Sequence, residues 1–178
     1  MRILRPAAGL LLCAIMLSGC VPTEPADEPS PEPTSASVFA SEEEALTAAE
    51  EAYAEYLAVS DAISQDGGAN PERIEPLVTE DRFPIELELF SQFEDQALRT
   101  EGATAFDSLE LQQYDGTPIH AYVCLDVTDV RVFDAGGQDV TPTNRPGRLP
   151  LQIQLVVFDR STLLAESDVW DGDNFCEP

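Results

Sequence analysis

A single histidine, His120, stands in the run Ile119-His120-Ala121-Tyr122-Val123-Cys124-Leu125-Asp126. In an extended strand, side chains two apart share a face. His120, Tyr122, Cys124 and Asp126 therefore line up as an imidazole, a phenol, a thiol and a carboxylate, groups able to move protons or attack a carbonyl. The other face, Ile119, Ala121, Val123, Leu125 and Val127, is wholly apolar. It must look into the core, which turns the polar set outward. A Ser-His-Asp system through His120 has no Gly-x-Ser-x-Gly elbow to carry its nucleophile. One imidazole also rules out a two-histidine metal site. His120 and Asp126 stay as candidates for catalysis, against the plainer reading of a hydrated, hydrogen-bonded face. Acidic runs at Asp171-Gly172-Asp173-Asn174 and at Asp134 with Asp139 lack the spacing of a calcium loop, which gathers six to eight oxygens; they read as turns. No phosphate loop, dinucleotide fingerprint or Cys-x-x-Cys occurs, and neither metal nor cofactor is expected.

Cysteine is the other reactive type. Met1-Arg2-Ile3-Leu4-Arg5 precedes an apolar run, Pro6 to Leu17, too short for a transmembrane helix of about 20 residues. A basic start, a short apolar stretch and small residues are the layout of an export signal. It ends in Leu17-Ser18-Gly19-Cys20, which resembles the lipobox of bacterial lipoproteins. That resemblance implies cleavage after residue 19, acylation of Cys20 with palmitate-type chains, and anchoring on the extracytoplasmic face of the cell membrane. Two or three chains hold where one is marginal. With Cys13 in the signal and Cys20 lipidated, Cys124 and Cys176 are left, and in an oxidising compartment an even pair reads as one disulfide. Closing a loop of roughly 50 residues, it contributes about 4 kcal/mol in the chain-entropy account.

Charge narrows the partners. Of 178 residues, 34 are acidic and 9 basic, giving −25 at pH 7, and every basic residue is arginine. Such a chain has too few cations to neutralise phosphates, so nucleic acid is excluded. At 43% hydrophobic residues it nevertheless has material for a core. Residues 20–40 do not contribute: the stretch from Val21 is Pro, Ser, Thr and acids, a disordered tether. At about 3.1 Å per residue it spans roughly 60 Å. The organisation expected is a signal over 1–19, a lipidated cysteine and tether over 20–40, and one folded domain over 41–178.

Within that domain, Ser41-Glu42-Glu43-Glu44 has the form of a capping box. Leu46, Ala49, Tyr53, Tyr56, Leu57, Ser60 and Ile63 follow at helical spacing, and Gly67-Gly68 stops the helix. Asn70-Pro71 predicts a cap and first turn for a short second helix to Val78. A third helix is expected beyond Pro84, with Leu87, Phe90, Phe93, Ala97 and Leu98 on one side, ending at Glu101-Gly102. The period then falls to two. Strands are expected over 103–114, 119–128, 149–157 and 163–170, with a bulge or bend at Thr128-Asp129 where the apolar phase slips. Trp170, Tyr53, Tyr56, Phe83, Phe90, Phe93, Phe106 and Phe158 can line a pocket, but at these periods they are core residues first.

Helices followed by antiparallel strands make an α+β order. Together with Tyr122-Val123-Cys124-Leu125-Asp126 and the ending Trp170-Asp171-Gly172-Asp173-Asn174-Phe175-Cys176, it resembles the nuclear-transport-factor-two-like (cystatin-like, SnoaL-like) superfamily, in the form of small actinobacterial lipoproteins. The resemblance implies N-terminal helices packed on a bent four-stranded antiparallel sheet shaped as a cone. Three functions then stand: a non-enzymatic envelope module binding a protein or small apolar ligand, a ketosteroid-isomerase-like enzyme with an acid in the cone, or an acidic surface coat that attracts divalent cations diffusely.

Overall fold

A computed structural model describes residues 38–114 and 116–176. The expected signal, Cys20 and nearly all of the tether lie outside the described residues. In order come α1 (Glu42–Gln65), a 3-10 helix (Pro71–Leu77), α2 (Phe83–Asp95), β1 (Arg99–Glu101), β2 (Ala105–Gln113), β3 (Ile119–Asp126), β4 (Arg131–Phe133), β5 (Arg148–Phe158) and β6 (Ser161–Val169). The class is α+β, as expected. β2-β3-β5-β6 form an antiparallel sheet, and β1 with β4 form a second one of two strands.

α1 begins where the sequence says. Ser41 Oγ accepts the amide of Glu44 at 3.2 Å, and the Glu44 carboxylate reaches back to the amide of Ala40 at 2.8 Å, so two orphan amides of the first turn region are satisfied. The helix closes with paired backbone bonds, Gly67 N to Ser64 O and Gly68 N to Ile63 O, the glycine-favoring C-terminal arrangement. Gly68 has a second reason to be glycine: at φ 86, a Cβ there would collide with the carbonyl of Phe90 on α2.

Three expectations need correction. Asn70 does not cap the second helix with its side chain; its backbone is left-handed at φ 52, and the segment from Pro71 is 3-10 rather than α. The third helix stops at Asp95, before Glu101. Ala97 takes φ 50 where glycine is usual, Ala97 N bonds Glu94 O and Leu98 N bonds Phe93 O. That is the same closing pattern as in α1, formed without the glycine that announces it, and it frees Arg99–Glu101 to become β1. At Thr128-Asp129 the strand breaks instead of bulging. Val130 N bonds Val127 O in a turn, and the chain leaves the large sheet to pair as β4 with β1. The second sheet was invisible because both its strands are three residues long.

One face of the large sheet packs on α1. Tyr53, Ile63, Ile119, Val123, Ile153, Leu155 and Leu164 are fully buried there, and Phe106 meets Tyr53 edge-on at 5.1 Å. The outer face has its own smaller cover. The chain after β6 folds back so that Trp170 and Phe175 lie against Tyr122 at 4.9 and 5.7 Å between ring centres. Cys176 bonds Cys124 in a disulfide with Cα atoms 5.4 Å apart.

Arg148 fastens the same corner. Its Nη2 donates to both oxygens of Asp107 on β2 at 2.7 and 2.8 Å, its Nη1 to Asp126 on β3 at 3.1 Å, and its Nε to the Cys176 carbonyl at 3.1 Å. Reducing the disulfide, or the pair Cys124→Ser and Cys176→Ser, is expected to lower unfolding free energy by about 4 kcal/mol in denaturant titrations, on the loop-entropy account. A loss under about 1 kcal/mol would mean that Arg148 and the aromatic cluster hold the terminus unaided.

Candidate functional site

The strand-face residues singled out above are brought together, and three of them, Tyr122, Cys124 and Asp126, are engaged in structural contacts. Cys124 is buried in the disulfide. The Asp126 carboxyl is held below the usual carboxylate range, chiefly by hydrogen bonding from Thr128 and then by Arg148. Arg148 does the same for Asp107. Tyr122 is packed under Trp170 and Phe175, and His120, half-buried, lies between Gln113 and Gln154 of the neighbouring strands. The acidic runs behave as turns: Asp134 Oδ1 accepts the amides of Gly136 and Gln138, Asp139 that of Thr141, and Asn174 that of Cys176. Among the described residues no three His, Cys, Asp or Glu side chains gather as a metal site.

An apolar-walled cavity lies elsewhere, between α1, α2 and the segment from β4 to Pro142, with a volume of about 510 Å³. Leu89, Phe90, Phe93, Leu98, Val132, Val140 and Pro142 make most of its wall, with Tyr56, Ser60 and Ser64 from α1. Three of the aromatic candidates, Tyr56, Phe90 and Phe93, do line it. Trp170 is on the opposite side of the sheet, and Phe158, 70% exposed, sits at the tip of the β5–β6 hairpin.

One carboxylate stands in this wall, and the sequence reading missed it. Glu86 is 1% exposed. Its Oε1 accepts the Tyr56 hydroxyl at 3.0 Å and Arg82 Nε at 2.7 Å. The signal was present: Phe83, Glu86 and Phe90 fall at i, i+3 and i+7, so an apolar stripe carries one acid, and Arg82 is four residues before it. Burial, and after it the neighbouring Glu86 charge, push the Tyr56 phenol well above its ordinary value. Burial works against the charge on Arg82, but the hydrogen bond and charge of Glu86 outweigh it and hold the guanidinium above its ordinary value. Tyr53, stacked beside Tyr56 at 6.0 Å, is raised by burial as well.

The arrangement is an ion pair with a phenol proton donated to the same oxygen. Its charges cancel locally, so the cavity presents apolar side chains and a neutralised floor, a surface suited to holding apolar groups.

No protein-family model matches the chain, and no curated protein matches it. Among solved structures, it is similar to the intermembrane space region of the chloroplast protein ARC6. The TM-score is 0.52 at 12% identity, over 70% of this chain and 95% of that one. At that identity the likeness is one of fold. A de novo designed β-sheet protein aligns over 72% of this chain and 92% of its own, at 15% identity and a TM-score of 0.34.

Removing one partner of a buried pair leaves the other charge unpaired in apolar surroundings, at about 3–5 kcal/mol. Glu86→Ala is therefore expected to destabilise by that amount in urea titrations. The double change Arg82→Met with Glu86→Leu, which removes both charges, should restore most of it; a double variant as unstable as the single one would contradict the local charge balance.

Proposed function

We propose that this protein is an envelope lipoprotein, acylated on Cys20 and held at the extracytoplasmic face of the membrane, whose domain is a non-enzymatic binding module of the nuclear-transport-factor-two-like kind. The observation that carries the binding role is the cavity between α1 and α2: it is apolar, open, and its one carboxylate is already neutralised by Arg82 and Tyr56. Pockets that bind apolar groups have this composition, mostly hydrocarbon and aromatic walls with a few fixed polar groups. The extracytoplasmic location is supported by the Cys124–Cys176 disulfide, which persists in oxidising compartments. The ARC6 region, whose fold is similar, lies in an intermembrane space. A long N-terminal helix packed across an antiparallel sheet supports the superfamily reading.

The second reading, a ketosteroid-isomerase-like enzyme, is favored by one feature, the acid in the cavity wall. It needs Glu86 to accept a substrate proton on a carboxylate whose Oε1 already accepts from Tyr56 and Arg82.

N-phenyl-1-naphthylamine, a neutral apolar dye, tests the binding role. It is expected to bind saturably, and the pair Leu89→Ser with Val140→Ser, both at exposed positions, should weaken it at least about tenfold, or 1.4 kcal/mol. Dye binding that is absent, or indifferent to this pair, would contradict the module. For the anchor, Cys20→Ser should move the protein out of the membrane fraction.

A further inference from the structure

The rim of the cavity is unlike its floor. Ile85, Leu89 and Val140 are 51%, 44% and 39% exposed, and they gather at this one groove. Leu89 and Val140 are part of its wall, and Ile85 lies one turn back from Leu89 along α2. Clustered apolar side chains left in water mark a surface that something covers. A small ligand filling the cavity would leave the rim wet, whereas an apolar stripe running along α2 would cover both.

Charge says what else the partner carries. Along α2 the exposed stripe that includes Ile85 and Leu89 also presents Glu88 and Asp95 at helical spacing. Across the groove Asp139 is exposed beside Val140, and hydrogen bonds from Thr141 hold its carboxyl below the usual carboxylate range. No lysine or arginine lines the cavity. The cations nearest in sequence are engaged: Arg82 on Glu86, Arg99 on Glu101 at 2.6 Å, and Arg145 on the carbonyls of Val127 and Val130. Arg131, which alternates with Val132 along β4, adds the weakest of the influences that keep Asp139 ionised. An apolar groove edged by acids is complementary to an apolar stripe edged by cations.

We infer that the α1–α2 groove docks a cationic amphipathic helix of a partner protein, its apolar stripe on Leu89, Phe93 and Val140 and its basic side chains against Glu88, Asp95 and Asp139. This rests on the reading of the domain as a binding module and names the class of its partner. This is helix-in-groove recognition.

The test uses three synthetic helical peptides of about 18 residues with one leucine stripe, the other face being lysine, serine or glutamate. The lysine peptide is expected to bind at least tenfold more tightly than the serine peptide at low salt and to lose that advantage as salt rises; the glutamate peptide should not bind. Leu89→Ser with Val140→Ser leaves net charge unchanged and should weaken the lysine peptide at least tenfold. Glu88→Gln, Asp95→Asn and Asp139→Asn together should bring it down to the serine peptide. If the lysine peptide ignores the Leu89/Val140 pair, its binding is diffuse attraction to an acidic surface and the inference is overturned. If lysine and serine peptides bind alike while the dye still binds, the cationic partner is wrong and the binding module stands. If neither the dye nor any peptide responds to the groove substitutions, both readings fall.

Discussion

One oxygen atom, Glu86 Oε1, sets the position of α2. It accepts a hydrogen bond from the Tyr56 hydroxyl on α1, which is buried, and another from Arg82 Nε at the start of α2, which is partly so. An ion pair so enclosed is costly to form from solvated charges and costlier to break on one side. Its geometric consequence is specific: with the acid fixed against Tyr56, Phe90 reaches the core and Leu89 and Phe93 are left along an open groove. Gly68 permits the same approach at the other end, where the end of α1 lies against the Phe90 carbonyl. The two helices are thus joined by this polar contact as well as by the apolar packing of Phe90, and the cavity lies beside the contact.

A second fastening works on the far side of the sheet without touching the first. The Cys124–Cys176 disulfide, Arg148 and the Tyr122–Trp170–Phe175 cluster bind the chain end over the outer face of β3. Polar and reactive groups that looked like candidates for chemistry are consumed there. Over that face the chain end lies as a lid on the sheet, on the side away from the groove between α1 and α2. Gly172 contributes to that lid, since a Cβ there would collide with the indole of Trp170.

Much of this was legible in the chain. Periods near four and then two gave helices before strands, Ser41 marked the first helix, and Ile119 to Asp126 alternated as the buried strand it is. What escaped has physical reasons. Ala97 ends α2 in a left-handed conformation that glycine usually signals, so the helix looked longer than it is. β1 and β4 are too short for any alternation to show. Glu86 hid in an apolar stripe, because a sequence does not say which acid a tyrosine thirty residues earlier will neutralise. The groove followed from those same misses, being built from α2, Leu98 and Val132.

The central claim is that the groove between α1 and α2 is where this domain binds. Methyl-resolved NMR of the intact domain with the leucine-lysine peptide addresses it most directly. The account predicts shifts for the methyls of Leu89, Leu98, Val132 and Val140, with Leu151, Leu164 and Val169 on the sheet unmoved. Shifts centred on Val169 and the Trp170 side, or spread evenly over the surface, would contradict it.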